Sequence, residues 1–136
     1  MGKLLQRLQD ASRSGVYRVR TDAAVLDALR GNGLGLRKIS LLGITTKSGL
    51  LDRIARTLEF PEWFGGNWDA LEDCLSEVRG YLLVHDYQAI PADDLGVLLD
   101  VLASSAEFHA EQGEPFFAIF VDPQNALDLD DLFREA

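Results

Sequence analysis

The chain reads as an α/β domain: a small, mostly parallel β-sheet with helices packed on it. Two observations predict this class. Apolar stretches of strand length, at 16–20, 37–43, 80–87 and 115–121, alternate with segments whose apolar residues recur every three or four positions. The last of these strands is unbroken from Phe116 to Val121, and such runs suit strands covered on both faces. A length of 136 residues is that of one domain. With 47% hydrophobic and 26% charged residues the chain belongs with globular proteins, not disordered ones. No stretch approaches the about 20 apolar residues of a membrane-spanning helix.

Taken in order, residues 1–14 form either a short amphipathic helix through Leu4, Leu5 and Leu8 or a loose terminus. Residues 16–20 alternate apolar and polar, as a strand does. Thr21 is the expected cap of a helix with the stripe Val25, Leu26, Leu29, and Gly31 its stop. A strand at 37–43 follows. Ser48 is the expected cap of the next helix, whose Leu51, Ile54, Ala55 and Leu58 line one face, and Pro61 ends it. Gly65, Gly66 and Asn67 combine a backbone break with a strong N-cap residue, opening a helix from Trp68 to about Val78. Trp68, Leu71 and Leu75 fall on its inner face. After the strand at 80–87, Pro91, Asp93 and Asp94 open a long helix with the stripe Leu95, Leu98, Leu99, Leu102, Ala106, and Gly113 stops it. Residues 125–135 read as a last acidic helix. Periodicity assigns no strand order.

Charge is unevenly spread. The total is −9. Residues 1–58 hold eleven Lys/Arg against four acids, and residues 59–136 hold two against eighteen. Between Glu59 and Glu77 there are six acids and no base. Phosphate binding needs Lys and Arg, so this part disfavours nucleic acid and suits a cationic protein partner. The single cysteine makes no internal disulfide, and Lys3, Arg7 and Asp10 interrupt any apolar leader. A cytoplasmic protein is expected.

The stretch 60–75 is the most distinctive: Phe60-Pro61-Glu62-Trp63-Phe64-Gly65-Gly66-Asn67-Trp68-Asp69-Ala70-Leu71-Glu72-Asp73-Cys74-Leu75. It resembles the signature of the barstar family, intracellular inhibitors of barnase-type ribonucleases. The likeness in element order runs over 37–122, with 1–36 an extension and 123–136 an acidic C-terminal segment of a single domain. The resemblance implies a helix and its preceding loop that cap a ribonuclease active site, with a monomer acting in a one-to-one complex. It implies that Asp69 and Asp73 enter the cationic site, that Trp63 lies in the contact loop, that Gly65 and Asn67 set up the helix, and that Ser76 ends it. Three positions depart from the best-known pattern. Glu72 and Val78 stand where aromatic residues are usual, and the contact glutamate of the later helix has no clean match: counting back from Gly113 puts Phe108 at its place, with Glu107 and Glu111 nearby.

The residues support the same chemistry without the family. Asp69, Glu72 and Asp73 share a helical face, and their mutual repulsion costs helix stability. Such strain is tolerated where a partner uses it. A carboxylate held on a helix can take a phosphate's place and accept paired hydrogen bonds from arginine. Of Trp63 and Phe64, either one is exposed and the other buried, or both pack under the loop; both join Gly65, Gly66, Asn67, Asp69, Glu72, Asp73 and Ser76 as candidate partner-binding residues. Three carboxylates could hold Mg²⁺, but no general base accompanies them, so no enzyme, metal or cofactor is expected. Cys74 reads as a buried thiol, and His85 and His109 as structural. Asp128, Asp130 and Asp131 lack the glycine and closing glutamate of a calcium loop and read as a solvated helix face.

Overall fold

The computed structural model describes residues 2–30 and 35–133. In order come α1 (Gly2–Leu8), β1 (Gly15–Val19), α2 (Ala23–Leu29), β2 (Leu36–Ser40), α3 (Lys47–Thr57), α4 (Trp68–Leu75), β3 (Gly80–His85), α5 (Ala92–Glu111), β4 (Phe116–Val121) and β5 (Asp130–Asp131). Single 3-10 turns lie at Ala11–Arg13 and Tyr87–Ala89. The five strands form one sheet in the order β2-β3-β4-β1-β5, and every pairing is parallel.

Both faces of the sheet are covered. Because side chains alternate along a strand, Leu82, Val84, Phe116, Ala118 and Phe120 face one way and meet Leu50, Ile54, Leu71, Leu75, Leu98 and Leu102 of α3, α4 and α5. Tyr81, Leu83, Phe117 and Ile119 face the other way and meet Leu8, Val25 and Leu29 of α1 and α2. Parallel crossovers are right-handed, so connections running in opposite directions across a sheet lie on opposite faces. The steps from β2 to β3 to β4 run one way, and their helices share a face. The step from β1 back to β2 runs the other way, which sends α2 to the second face. The N-terminal residues are therefore built into the sheet: β1 lies between β4 and β5. The Tyr81 hydroxyl donates to the Leu8 carbonyl, tying α1 to β3.

Several helix ends differ from expectation. Asp22, not Thr21, is the N-cap of α2, and its carboxylate makes no capping bond. Thr46, not Ser48, caps α3, accepting from the Gly49 N–H at 3.0 Å. The expected stop at Gly31 lies outside the described residues. Helix α3 ends before Pro61: Glu59 adopts φ 56° and the Phe60 N–H returns to the Ala55 carbonyl. Helix α4 ends at Leu75 because Glu77 and Val78 bond three residues back, to Cys74 and Leu75, in a tightened last turn. Val78 packs against the core. Gly80 is required where it stands. Its φ is +101°, and a Cβ there would lie 2.7 Å from the Gly35 carbonyl oxygen, whose partner is the Tyr81 N–H.

Among the described residues, which run to Phe133, the last acidic helix does not form. Asp122 is fully buried and its carboxylate takes the Tyr87 hydroxyl at 2.6 Å, the Ala126 N–H at 3.0 Å and the Leu127 N–H at 2.9 Å. That turn, with Asn125 at φ 52°, directs the chain outward and back. Leu127 and Leu132 are then buried in the two core clusters, and Asp130–Asp131 pairs with β1. Asp128, Asp130 and Asp131 thus belong to an edge strand and its approach, not to a helix face.

Candidate partner-binding face

Helix α4 is amphipathic in one short span. Leu71, Cys74 and Leu75 are buried, and Trp68 is half-buried against the core. Asp69, Glu72 and Asp73 are exposed and Ser76 half-exposed, at spacings of three and four that place them in one outward stripe. No ion pair joins any of the three carboxylates to a described residue. Asp69 lies in the first turn, where the helix dipole favours negative charge; Asp73, further along, gains less. The Ser76 hydroxyl donates to the Asp73 carbonyl at 2.6 Å.

The loop before α4 is held by its own aromatic pair. The Phe60 and Phe64 rings lie 5.2 Å apart and pack on the core, and the Phe64 N–H donates to the Pro61 carbonyl. With Phe60 and Phe64 partly buried, Trp63 is left 63% exposed in the loop that leads into α4. Of the two arrangements open for the aromatic pair, one side chain in and one out is the one found. Gly66 carries φ +69°, and Asn67 then caps the helix through the Ala70 N–H at 2.7 Å. The Lys47 ammonium sits 5.9 Å from the centre of the Trp68 ring, fastening α3 to the start of α4.

Neighbouring groups are structural. Burial, then the charges of Glu77 and Asp73, push the Cys74 thiol up, which suppresses the thiolate. His109 is buried: its Nε2 lies 2.9 Å from the Leu75 carbonyl, its Nδ1 3.3 Å from Glu114, and its ring stacks on Phe116. It joins the end of α4 to α5 and β4. His85 lies 3.5 Å from Asp22, joining β3 to the start of α2. Among the described residues no group of three His, Cys, Asp or Glu could hold a metal ion. Among the described residues no helix is long and apolar enough to cross a membrane.

Beside α4 lies a feature that periodicity did not reveal. Ser104, Ser105 and Phe108 of α5 face Glu72, Asp73 and Ser76 across a groove of about 370 Å³. Its sequence signal is the run Ala103-Ser104-Ser105-Ala106, small residues that thin a helix otherwise striped with leucine.

These features define an α/β protein with a parallel sheet and packed helices, in which α4 offers an acidic stripe unpaired among the described residues and the loop before it an exposed tryptophan. The chain belongs to the barstar family: the family model described as barstar (barnase inhibitor) matches residues 35–135. That family is one of inhibitors, and its matched region takes in β5 as well as the acidic helix. No curated protein matches the chain. Among solved structures it is similar to one of the Aeropyrum pernix ORC2 protein (ADPNP-ADP complexes), at 19% identity and a TM-score of 0.54. The similarity covers 88% of this chain and 37% of that one, so the chain spans little more than a third of it, and the likeness is one of fold.

Proposed function

We propose that the protein inhibits a basic ribonuclease by laying α4 and its preceding loop across the enzyme's cationic active site. The carrying observation is the exposed stripe of Asp69, Glu72 and Asp73, unpaired within the described residues, in a chain of an inhibitor family. A ribonuclease cleft is lined with Arg, Lys and His to hold phosphates. Carboxylates on a helix already fixed by Leu71, Leu75 and the Asn67 cap can occupy those positions with little ordering cost. Trp63, with Phe64, Gly65 and Gly66 shaping its loop, supplies an aromatic anchor at the rim. Opposite fields speed encounter, which serves the neutralisation of an enzyme able to destroy cellular RNA.

In this reading the 136 residues act as one barstar-like domain, with 1–36 an extension of the core and 123–136 its acidic C-terminal segment. The protein is a cytoplasmic monomer without catalytic activity, binding its target one to one and making no direct contact with nucleic acid. A second reading keeps the face and changes the partner to another cationic protein. The 43% exposed Phe108 beside Asp73 favours it, since the family's usual contact glutamate is replaced there.

The test is RNA cleavage by a barnase-type ribonuclease with equimolar protein, at low and moderate salt. The expected result is inhibition that weakens with salt and is lost in Asp73→Ala. Truncating one buried carboxylate of such an interface costs about 2–5 kcal/mol, because the enzyme's cation is left unpaired. Undiminished inhibition by Asp73→Ala overturns the face. No inhibition by the unaltered protein overturns the ribonuclease target and turns the search to other cationic partners.

A further inference from the structure

Strand β2 is an edge of the sheet, paired with β3 on one side only. The Gly35 carbonyl accepts from the Tyr81 N–H, and the Leu41 N–H donates to the His85 carbonyl. Residues 35, 37, 39 and 41 therefore turn their peptide groups toward β3, and Leu36, Lys38 and Ser40 turn theirs outward. Of these outward groups, only the Ser40 carbonyl has a partner among the described residues: Arg53 Nη1 donates to it at 2.6 Å. The edge is thus open from Leu36 to the Ser40 N–H and closed just beyond. It is also cationic, in a chain of net charge −9. From Leu36 to Arg56 the sequence holds five bases and one acid. Arg37 and Lys38 are exposed and meet no carboxylate among the described residues; Arg37 reaches only the Leu58 carbonyl, at 3.4 Å. On α3, which packs on β2, Arg53 also lacks a carboxylate, and Arg56 takes the one acid, Asp52, at 3.0 Å. Past the open stretch, Leu42 is 69% exposed.

We propose that β2 receives an extended acidic segment of a second protein partner, added to the sheet as a sixth strand. Main-chain bonds to Leu36, Lys38 and Ser40 supply the affinity, as they do wherever a peptide joins an open edge. Carboxylates beside Arg37 and Lys38 select the segment by charge, since opposite charges on neighbouring strands attract and like charges repel. The same cations keep two copies of β2 apart, because lysine and arginine on an edge discourage its pairing with itself. Leu42 offers the end of the segment an apolar contact. This surface is separate from the acidic stripe: α3 packs on β2, and α4 packs on α3 and α5. The proposal goes beyond the inhibitor reading and does not depend on it.

The experiment titrates the full chain with a blocked heptapeptide alternating valine and glutamate, followed by amide NMR and hydrogen exchange. The N–H groups of Leu36, Lys38 and Ser40 should shift and gain protection, and binding should weaken with salt. A peptide with lysine in place of glutamate should not bind. Two further peptides are N-methylated on alternate residues, one on the odd positions and one on the even. One should lose binding and the other keep it, because only one edge of an added strand faces β2. Lys38→Gln with Arg37→Gln should weaken the acidic peptide by roughly three- to tenfold. Both residues are exposed, so the variant keeps the fold. A uridine oligonucleotide is titrated alongside. No binding of the acidic peptide, or shifts that spare β2, overturns the proposal. Equal binding by the two methylated peptides overturns strand addition. Lysine binding as well as glutamate, or binding indifferent to the Arg37 and Lys38 substitutions, overturns the selection by charge. The oligonucleotide binding these residues more tightly than the peptide overturns the protein partner.

Discussion

Along α4, Asp69, Glu72 and Asp73 project from the surface and pair with no described cation. Between Asp122 and Phe133 the chain is as acidic, yet two of its carboxylates are occupied internally. Asp122 accepts from Tyr87, Ala126 and Leu127, and Asp131 Oδ1 accepts from the Phe133 N–H at 2.9 Å. The difference lies in what the local backbone demands. A turn leaves N–H groups without partners, and a nearby carboxylate satisfies them. Past its first turn a helix satisfies its own N–H groups, and Asn67 caps the start of α4, so Glu72 and Asp73 keep their lone pairs for another molecule. The same residue type is structural in one place and available for binding in the other.

The sharpest way to break this contrast is to remove one carboxylate from each region. Asp122→Ala leaves a buried hydroxyl and two N–H groups without their acceptor, and should cost roughly 2–4 kcal/mol of stability by urea unfolding. Asp73→Ala should change stability by less than about 0.5 kcal/mol while abolishing inhibition, since it relieves repulsion and breaks no internal bond. A large stability loss in Asp73→Ala would erase the distinction.

Acid offers a second comparison. Burial raises the Asp122 carboxyl, but the hydrogen bonds from Tyr87, Leu127 and Ala126 and the charge of Arg18 outweigh it and hold the group below the usual carboxylate range. A depressed folded value contributes stability above the unfolded value of about 3.9 and loses it as pH falls through the lower folded value. Stability should therefore drop below about pH 4, and Asp122→Asn should flatten that drop in a pH series of thermal melts. At the other end, burial first, and then the Asp122 carboxylate, raise the Tyr87 hydroxyl. A raised value keeps its contribution below the unfolded value of about 10 and loses it as pH climbs through the folded one. Tyr87→Phe should remove that alkaline share.

Smaller effects sharpen the picture of α4. Asn67→Ala removes the N-cap bond to Ala70 and should cost about 1 kcal/mol of stability. Trp63→Ala removes an exposed ring and should alter stability by less than about 0.5 kcal/mol, with its effect confined to partner binding. A destabilised Trp63→Ala would mean that the loop depends on this ring as well as on Phe60 and Phe64.

The elements that could be read without the structure are those carried by local chemistry. The apolar stretch at 80–87 announced a strand, the unbroken run of β4 announced one buried on both faces, and the three-and-four spacing of Leu51, Ile54 and Leu58 announced a core-facing helix. The motif from Phe60 to Leu75 carried the family resemblance, and Asn67 before Trp68 announced the start of the acidic helix. Each of these needs only neighbouring residues, so pattern suffices. Cap choice was harder because several candidates lie within two residues: Thr46 prevails over Ser48, and Asp22 over Thr21. The C-terminal segment misled because its acidic pattern was consistent with a helix. Its course depends on Tyr87, 35 positions away, completing the Asp122 knot, and on Arg18 offering β5 a backbone partner through Leu132. Strand order, the insertion of β1 between β4 and β5, and the groove between α4 and α5 arise from contacts between segments far apart in the chain. A short window records the propensity and polarity of each segment. Which segments meet is set by the burial of both sheet faces at once and by the handedness of the crossovers, and both are properties of the assembled domain.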